Sequence, residues 1–332
     1  MRAVLVQRLG PPEVLELTDL PLPEPGPGQV LVQLHAAGVN FSDTERRRGI
    51  YKNLTLPWTP GTEGAGRVVA VGPGTDPALL DRRVAFWAMP PAVSGTYAEY
   101  AVAPAGALFD LGDAFPFDLG AALPVQGLTA YGLAFFATAV APGSSVLLHA
   151  AAGGVGQILL QLCRRQGARV LGTVSSPEKA AAVERLGGEA FLYGPDLPER
   201  VAAATGGRGV DRIFDSVGKA TQAQSLAMLA PYGELIHFGE ASGAPAPVDP
   251  DQLYDRCLKV GAFGLYIDDP VAWGTARRNL LAWVEAGELE ISISRRFPLA
   301  EAAEAHRLLE GRATTGKMVL LPSEGSSPRV RS

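Results

Sequence analysis

The chain has 332 residues and a formal net charge of −5, with 47% hydrophobic and 19% charged residues. This length is more than one hydrophobic core usually serves, and the composition is that of a well-buried globular protein rather than a disordered one. The cations are mostly arginines scattered among polar positions, which excludes the concentrated positive charge that nucleic-acid binding requires.

The N-terminal segment, MRAVLVQRLGPPEVLEL, alternates as a β-strand does and lacks the basic-then-apolar layout of a secretory signal. No run approaches the roughly 20 apolar residues that a membrane span requires. The two cysteines, Cys163 and Cys257, are far apart and belong to no CxxC pair. A disulfide scaffold is therefore excluded, and each cysteine is predicted to be a small buried hydrophobe. We expect a cytoplasmic protein with no membrane partner.

Residues 1–122 are predicted to form a compact, mostly antiparallel β unit. Short β-prone runs alternate there with Pro and Gly, as in RAVLVQ, QVLVQLHAAGV, GAGRVVAVG, RRVAFWA and TYAEYAVAP. The turn-forming segment PLPEPGPG separates the first of these runs from the second.

The pattern changes near Pro124, and residues 123–262 are predicted to form a doubly wound parallel sheet. The apolar run SVLLHAA precedes a glycine cluster and the helical stretch VGQILLQLCRRQ, which Gly167 ends. RVLGTV and PEKAAAVERLGG repeat the strand and the helix, and VDRIFDSVG and GELIHFG supply further strands. Residues 263–322 are predicted to return to the β unit, so that the parallel sheet is an insertion in it. Residues 323–332 are predicted to be a flexible tail.

The segment from Ala151 to Gly156 is positioned as a dinucleotide-binding turn. Against the pattern GxGxxG, alanine takes the first glycine position, and Gly153 and Gly156 take the second and third. Gly153 would let the backbone approach a pyrophosphate, which the helix N-terminus attracts, and Gly156 would let the helix lie close to its strand. A glycine-rich loop without a ligand is the alternative. The strand before the turn and the helix after it favour a dinucleotide.

The end of the second strand decides which dinucleotide is expected. An NAD-binding protein places Asp or Glu there to bind the ribose diol, but this strand ends in Thr173-Val174-Ser175-Ser176. Ser175 and Lys179 can bond to a 2′-phosphate instead. Taken alone, Lys179 would be interpreted as a solvated lysine on a helix surface. Because the strand end lacks an Asp or Glu, Lys179 instead favours NADPH.

The chain resembles the zinc-independent quinone oxidoreductase (zeta-crystallin-like) branch of the medium-chain dehydrogenase/reductase superfamily. The matching segments, in this order and spacing, are GPPEVLEL, PGQVLVQLHAAGVNFSD, GIY, PGTEGAGRVVAVGPG, GTYAEYAVAP, GLTAYGL, LLHAAAGGVGQILLQL, GTVSSPEK, DSVGKAT, HFGEASG and RATTGKMVLLP. The resemblance implies an α/β protein in which a Rossmann domain is inserted in a GroES-like catalytic domain, with the active cleft between them. It also implies a homodimer that pairs Rossmann sheet edges through the region Leu258–Leu265.

The resemblance assigns the functional residues. Asn40 would lie by the nicotinamide ribose and the substrate, Tyr51 would line the pocket, and Thr129 would pack on the nicotinamide. The expected dinucleotide contacts, in addition to Asn40, Thr129 and Gly156, are Gly153, Gly154 and Val155 at the pyrophosphate, Ser175, Lys179, Tyr193 and Arg312 around the 2′-phosphate, and Phe238 and Gly239 at a strand end. The chain departs from the pattern at two positions, because Glu45 replaces a second pocket tyrosine and Glu240 replaces an amide.

A catalytic zinc is not expected. Zinc-dependent relatives hold the metal with an early Cys and a His-Glu pair, whereas this chain has Asn40 and Thr62-Glu63 at those positions, and a catalytic zinc needs three protein ligands. The four histidines lie inside strand or helix patterns without ligand spacing and are expected to be structural; they are His35, His149, His237 and His306.

The absence of a Lewis acid favours quinones or related conjugated carbonyl compounds, which delocalise the incoming negative charge. We expect hydride from NADPH, with Asn40, Tyr51 or a water molecule meeting the developing oxyanion. Tyr51 could instead be only a pocket wall, and Asp43 is expected to be structural, pairing with an arginine such as Arg46. Two alternatives remain: reduction of the C=C bond of an enone or enoyl thioester, and a non-catalytic structural or regulatory NADPH-binding protein.

Overall fold

The structure, a computed structural model, describes residues 1–51, 54–89, 93–265 and 269–322. It divides into two compact units, one formed by Met1–Val125 with the chain from Arg277 onward, and the other by Gln126–Ala276. The second unit is therefore inserted in the first. The predicted tail, residues 323–332, lies outside the described residues.

The first part of the β-rich unit contains seven strands and two helices among its described residues. The strands are β1 Arg2–Leu5, β2 Glu16–Asp19, β3 Gln29–Val39, β4 Glu63–Val71, β5 Arg83–Trp87, β6 Tyr100–Pro104 and β7 Leu108–Asp110; the helices are α1 Phe41–Arg47 and α2 Phe117–Ala122. Short 3₁₀ turns occupy Pro12–Val14, Pro77–Leu79 and Ala105–Ala107. Alternate residues of β3, namely Val30, Val32 and Leu34, are buried in one hydrophobic core with Val84 and Phe86, as the two-residue period of a strand dictates.

The inserted unit is built on six parallel strands. In chain order, its helices and strands are α3 Pro124–Gly132, β8 Ser145–Leu148, α4 Gly154–Arg165, β9 Arg169–Val174, α5 Pro177–Arg185, β10 Glu189–Leu192, α6 Leu197–Ala204, β11 Val210–Asp215, α7 Gln222–Met228, β12 Leu229–His237, α8 Asp251–Tyr254 and β13 Lys259–Ala262. A π-helical turn, Leu133–Ala137, extends α3. The strand order is β10-β9-β8-β11-β12-β13 with every pair parallel. Counted from β8 this is 3-2-1-4-5-6, the Rossmann order, so the predicted fold class is confirmed.

The centre of this sheet explains why its strands read as continuous apolar runs. Leu171, Leu147, Ile213 and Leu235 lie opposite one another across β9, β8, β11 and β12. All four are fully buried. A parallel sheet is covered on both faces, so no polar alternation is expected in it.

The chain then returns to the β-rich unit through α9 Pro270–Glu285, β14 Ile293–Pro298, α10 Ala302–Glu310 and β15 Lys317–Leu321, with a 3₁₀ turn at Leu299–Glu301. The main sheet has the order β14-β15-β3-β4-β5-β7, with β6 also on β3, and β1 pairs with β2 separately. β15 runs antiparallel to β3 and pairs Met318 with Val39. This register brings Lys317 next to Asn40.

The unit boundaries lie later than the predicted 122/123 and 262/263. The helices α3 and α9 begin in one unit and end in the other, so the change in composition near Pro124 marks the start of a helix rather than the start of a unit. At the second boundary, Trp273 is buried and its ring packs edge-on against Phe136, 5.1 Å away between centroids. The first turns of α9 therefore belong to the inserted unit.

The two cysteines have different environments. Cys163 is buried in α4, and burial raises the pKa of its thiol to about 12. Cys257 is exposed, so the prediction that it is buried is wrong. It lies between α8 and β13 with a φ of +51°, in a loop that apolar patterning does not describe.

Candidate active site

The glycine turn follows β8 and is hydrogen-bonded to β9 and to the residue after β10. Ala150 has a φ of +52°, and its backbone N–H donates to the hydroxyl of Tyr193, 2.9 Å away. The next N–H, of Ala151, donates to the carbonyl of Thr173. The turn is thus fixed by β9 and by the residue that follows β10, before α4 begins at Gly154.

The glycines of the turn are needed for different reasons. A Cβ on Gly156 would lie 2.6 Å from the carbonyl oxygen of Ala150 and 2.8 Å from the Cα of Ala151, so this glycine permits close packing of helix on turn. A Cβ on Gly153 would meet only that same carbonyl oxygen, at 3.2 Å. The protein's own contacts do not demand glycine there, and the open backbone at the start of a 12-residue helix fits a phosphate. Gly154 faces Gln126, whose amide nitrogen would be 2.1 Å from an added Cβ.

The end of β9 carries polar groups suited to a phosphate monoester. The ammonium of Lys179 donates to the hydroxyl of Ser175 at 3.0 Å, and Ser176 caps the N-terminus of α5. A further acidic group at this strand end, Glu178, was not predicted from the sequence. Glu178, in the first turn of α5, has a lowered pKa, mainly because its carboxylate is hydrogen-bonded to Ser176.

His149, which was expected to be structural, lies at the end of β8 in a buried network of side-chain hydrogen bonds. His149 contacts the hydroxyl of Thr173 through Nδ1 and that of Ser225 through Nε2, both at 2.9 Å. Burial lowers the pKa of His149 to about 4, so the imidazole is neutral. Its ring stacks on that of Tyr193, 5.9 Å away between centroids. This packing fixes the Tyr193 hydroxyl against the turn.

Asp215, a buried residue not identified from the sequence, holds the loop after β11 with its carboxylate and the end of β12 with its backbone carbonyl. Asp215 accepts hydrogen bonds from the N–H groups of Val217 and Gly218 and from the hydroxyl of Thr221. Its own carbonyl accepts from the N–H of Phe238. Gly239 follows, and an added Cβ there would lie 3.0 Å from the carbonyl oxygen of Ser216.

The histidines were expected to be structural, but the ring of His237 lacks, among the described residues, the hydrogen bonds of a satisfied structural histidine. His306 donates or accepts at the Tyr97 hydroxyl, 3.0 Å away, and His35 stacks on Phe117. His237, in contrast, is buried and neither ring nitrogen has a hydrogen-bond partner among the described residues. Its Nδ1 lies 3.8 Å from the Asp215 carboxylate.

In the β-rich unit, Asn40 lies at the centre of a buried charged cluster. Its Nδ2 donates to Glu63 Oε1 at 2.7 Å, and its Oδ1 accepts from Lys317 Nζ at 2.7 Å. The same ammonium lies 2.5 Å from Glu63 Oε1, and both charged side chains are fully buried. Gly38 makes room for the carboxylate, since an added Cβ would lie 2.3 Å from Glu63 Oε1. Asn40 was predicted from the sequence, whereas Lys317 was not.

Asp43 has the structural role that was expected of it. Its carboxylate accepts from the backbone N–H of Asn40 at 3.0 Å and pairs with Arg46 at 3.7 Å. Burial raises the pKa of this carboxyl to about 6. The Tyr97 hydroxyl lies 3.5 Å away, and burial raises the pKa of that phenol well above 10.

The remaining predicted residues are distributed over both units. Tyr51 is 41% exposed, and its hydroxyl donates to Glu45 at 3.4 Å. Glu45 is the position at which the resemblance leads one to expect a second tyrosine. The Arg46 guanidinium lies over the Tyr51 ring at 4.9 Å. Thr129 is half-buried in α3. Arg312 follows α10 with a left-handed φ of +55°.

Two absences hold for the described residues. No group of three or more His, Cys, Asp or Glu side chains among them could hold a metal ion. Within the same residues, no helix combines the length and apolar character needed to cross a membrane.

Comparisons with known proteins agree on one family. The family model described as "Alcohol dehydrogenase GroES-like domain" matches residues 26–113, and the one described as "Zinc-binding dehydrogenase" matches residues 186–320. A quinone oxidoreductase of Pseudomonas aeruginosa is 39% identical, over 94% of this chain and 97% of that protein. A 2-haloacrylate reductase of a Burkholderia species is 37% identical, over 96% and 98%. The crystal structure of Escherichia coli quinone oxidoreductase complexed with NADPH has a TM-score of 0.92 and 33% identity, covering 97% of this chain and 100% of that one.

Proposed function

Since the chain belongs to the quinone oxidoreductase branch of the medium-chain dehydrogenase/reductase superfamily, we propose that it reduces quinones with NADPH by hydride transfer, without a metal ion. The observation that carries the proposal is the Rossmann turn, in which Gly153 leaves the backbone open. Ser175 and Lys179 follow at the next strand end, bonded to each other.

The inserted unit supplies the dinucleotide contacts. The N–H groups of Gly154 and Val155 begin α4, and a helix N-terminus favours the negative charge of a pyrophosphate. Ser175 and Lys179 offer a hydroxyl and a cation to the 2′-phosphate. The wider set proposed from the resemblance is Thr129, Gly156, Tyr193, Phe238, Gly239 and Arg312.

The β-rich unit supplies groups for the acceptor. Bound NADPH provides the hydride, and a quinone oxygen then gains negative charge. An amide N–H of Asn40 or the hydroxyl of Tyr51 donates to that oxygen. The Tyr51 hydroxyl is a hydrogen-bond donor on a partly exposed side chain, which supports Tyr51 as a donor to the acceptor oxygen. Tyr51 as a pocket wall remains the alternative.

A metal-free reaction is supported by what surrounds Glu63. A carboxylate at a zinc site would bind the metal or a ligand of it. Here the Lys317 ammonium already neutralises Glu63, and an amide and an ammonium are not zinc ligands. The acceptor must therefore delocalise charge itself, as quinones do.

A homodimer in the cytoplasm completes the proposal. β13 pairs with β12 at the end of the six-strand order, and an edge strand is a template for a second copy. The region Leu258–Leu265 contains this strand.

A second candidate is reduction of a conjugated C=C bond, as in enones or enoyl thioesters. It is favoured by the similarity to a 2-haloacrylate reductase, whose name implies a carbon–carbon double bond next to a carboxyl group. Both reactions need the same hydride donor and an oxygen that accepts charge. A non-catalytic NADPH-binding role is the third reading.

A panel of acceptors tests the proposal. NADPH oxidation is followed with 1,4-benzoquinone, 9,10-phenanthrenequinone, an enone, a crotonyl thioester and 2-chloroacrylate, each repeated with NADH. We expect the highest kcat/KM for a quinone with NADPH. A higher kcat/KM for a C=C substrate would establish the second candidate instead. No oxidation above background with any acceptor would leave the non-catalytic role.

A further inference from the structure

Lys317 is a fully buried lysine with two partners. Its ammonium is 2.7 Å from Asn40 Oδ1 and 2.5 Å from Glu63 Oε1, and its side chain is among the largest that are fully buried. Taking a lysine–carboxylate pair out of water is costly, and apolar residues of similar volume often serve packing as well or better. Packing of the core alone therefore does not explain why Lys317 and Glu63 are buried here.

The two charges leave only one orientation for the amide of Asn40. An ammonium has donors and no acceptor, whereas a carboxylate has acceptors and no donor. Oδ1 must therefore face Lys317 and Nδ2 must face Glu63, as the 2.7 Å contacts show. A rotated amide would set its NH₂ group against the ammonium and its oxygen against the carboxylate.

We propose that Lys317 is a positioning residue that locks the Asn40 amide as a hydrogen-bond donor toward the ligand. One Nδ2–H is used by Glu63, and the second is held in a fixed direction. Its ligand partner must be an acceptor oxygen, such as a carbonyl of the substrate or a ribose hydroxyl. The identity of that oxygen rests on the proposed function, but the locking does not.

Glu63 holds only the Nδ2 side of the amide. Its second oxygen, Oε2, accepts from the backbone N–H of Val125 at 2.7 Å, so only Oε1 remains for Asn40. The backbone of Asn40 is held separately, by the carboxylate of Asp43. Lys317 is thus the group that holds Oδ1, and it is placed by the pairing of Met318 with Val39.

The variant for the test must not leave a buried charge alone. Lys317→Met alone would strand the carboxylate, which is strongly destabilising. The double variant Lys317→Met/Glu63→Gln keeps the cluster neutral. The glutamine introduced at position 63 can either accept from the Asn40 amide or donate to it, so both orientations of that amide become available. Arg8→Met, at an exposed cation of the β-rich unit, is the control.

Side-chain amide NMR measures the locking directly. The sequence holds three asparagines, Asn40, Asn53 and Asn279, so protein labelled with [¹⁵N]asparagine gives a simple spectrum in which Asn40→Ala identifies the Asn40 pair. We expect one slowly exchanging, downfield Nδ2 proton in the native chain. In the double variant we expect it to shift and to exchange about tenfold faster or more, with the Asn279 signals unchanged. An unshifted, slowly exchanging Asn40 pair in the folded double variant would overturn the proposal.

Turnover gives a second readout. If Lys317 acts through Asn40, the double variant and Asn40→Ala each lower kcat by about tenfold or more. The triple variant is then no slower than Asn40→Ala, within about threefold. Reductions in kcat that multiply in the triple variant would contradict a shared role. A native chain that locks Asn40 but oxidises no NADPH with any acceptor would refute the proposed function alone. A native chain that reduces quinones although its Asn40 amide exchanges as fast as in the double variant would refute this inference alone.

Discussion

The hydroxyl of Tyr193 accepts a hydrogen bond from the backbone N–H of Ala150, 2.9 Å away. Ala150 is a non-glycine residue at a φ of +52°, a conformation that needs support from its surroundings. The resemblance assigned Tyr193 to the adenosine 2′-phosphate. Its contact with Ala150 gives it a structural role, which is to hold the turn that α4 follows.

Tyr193→Phe is expected to weaken both the turn and NADPH binding. Removing the hydroxyl leaves the Ala150 N–H without its partner, at a cost of about 1–3 kcal/mol. We expect NADPH to bind about tenfold more weakly in a fluorescence titration. Tyr232→Phe, at a tyrosine that is 74% exposed in the same unit, is the control. Equal affinities of native protein and Tyr193→Phe would show that the hydrogen bond does not support the turn.

Gly153→Ala and Gly156→Ala are expected to fail in different ways. At residue 156 the methyl group would collide with backbone of the turn, so we expect a loss of about 1–3 kcal/mol in the free energy of unfolding. At residue 153 it would meet only Ala150 O, at 3.2 Å, so the chain should keep its stability and lose NADPH affinity. Urea unfolding and NADPH titration of both variants test this. A Gly153→Ala protein that binds NADPH normally would place the pyrophosphate elsewhere.

Lys179→Glu is expected to abolish the preference for NADPH over NADH. The substitution replaces the cation beside Ser175 with an anion. A charge-assisted hydrogen bond is worth about 1.5–3 kcal/mol, so NADPH should bind roughly ten- to a hundredfold more weakly, while NADH affinity stays nearly constant. Arg8→Glu makes the same change of charge at an exposed residue of the β-rich unit and should alter neither. An unchanged preference in Lys179→Glu would refute the assignment of the 2′-phosphate.

Stability is expected to depend on pH through His149. Burial lowers the pKa of His149 from 6.5 to about 4, so the unfolded chain takes up a proton between these values and the folded chain does not. The contribution is fully present above pH 6.5 and is lost as the pH falls toward 4, at about 1.4 kcal/mol per pH unit. The destabilisation caused by His149→Gln should therefore shrink below pH 6.5. Urea unfolding at several pH values measures it, and a constant difference would mean that His149 is not buried in its neutral form.

The fold could be predicted because its signals are local. Continuous apolar runs such as the one around Leu147 indicate strands of a covered parallel sheet, and Gly167, at a φ of +83°, follows the end of α4 as predicted. The second unit boundary, after Ala276, could not be found this way. It lies inside α9, where no change of pattern marks it, and what assigns Trp273 to the inserted unit is its packing on Phe136.

Residues of the candidate site could be predicted only where they belong to a recognisable sequence motif. Gly153, Gly156 and Asn40 belong to such motifs. Lys317 reads locally as the first residue of an ordinary strand, and only the antiparallel pairing of β15 with β3 brings it to Asn40. Asp215 was missed for a similar reason, since a single acid at a strand end shows no sign of the three donors that converge on it.

Rates of NADPH oxidation by 1,4-benzoquinone, compared before and after exhaustive dialysis against a chelator, test metal-free hydride transfer most directly. Each rate is also measured with NADPH deuterated at one or the other C4 position. We predict that metal removal leaves the rate unchanged and that one of the two deuterated cofactors, but not the other, reacts more slowly. Loss of activity on chelation that Zn²⁺ restores would contradict the account, as would quinone reduction that is insensitive to deuterium at both positions under conditions where hydride transfer limits the rate.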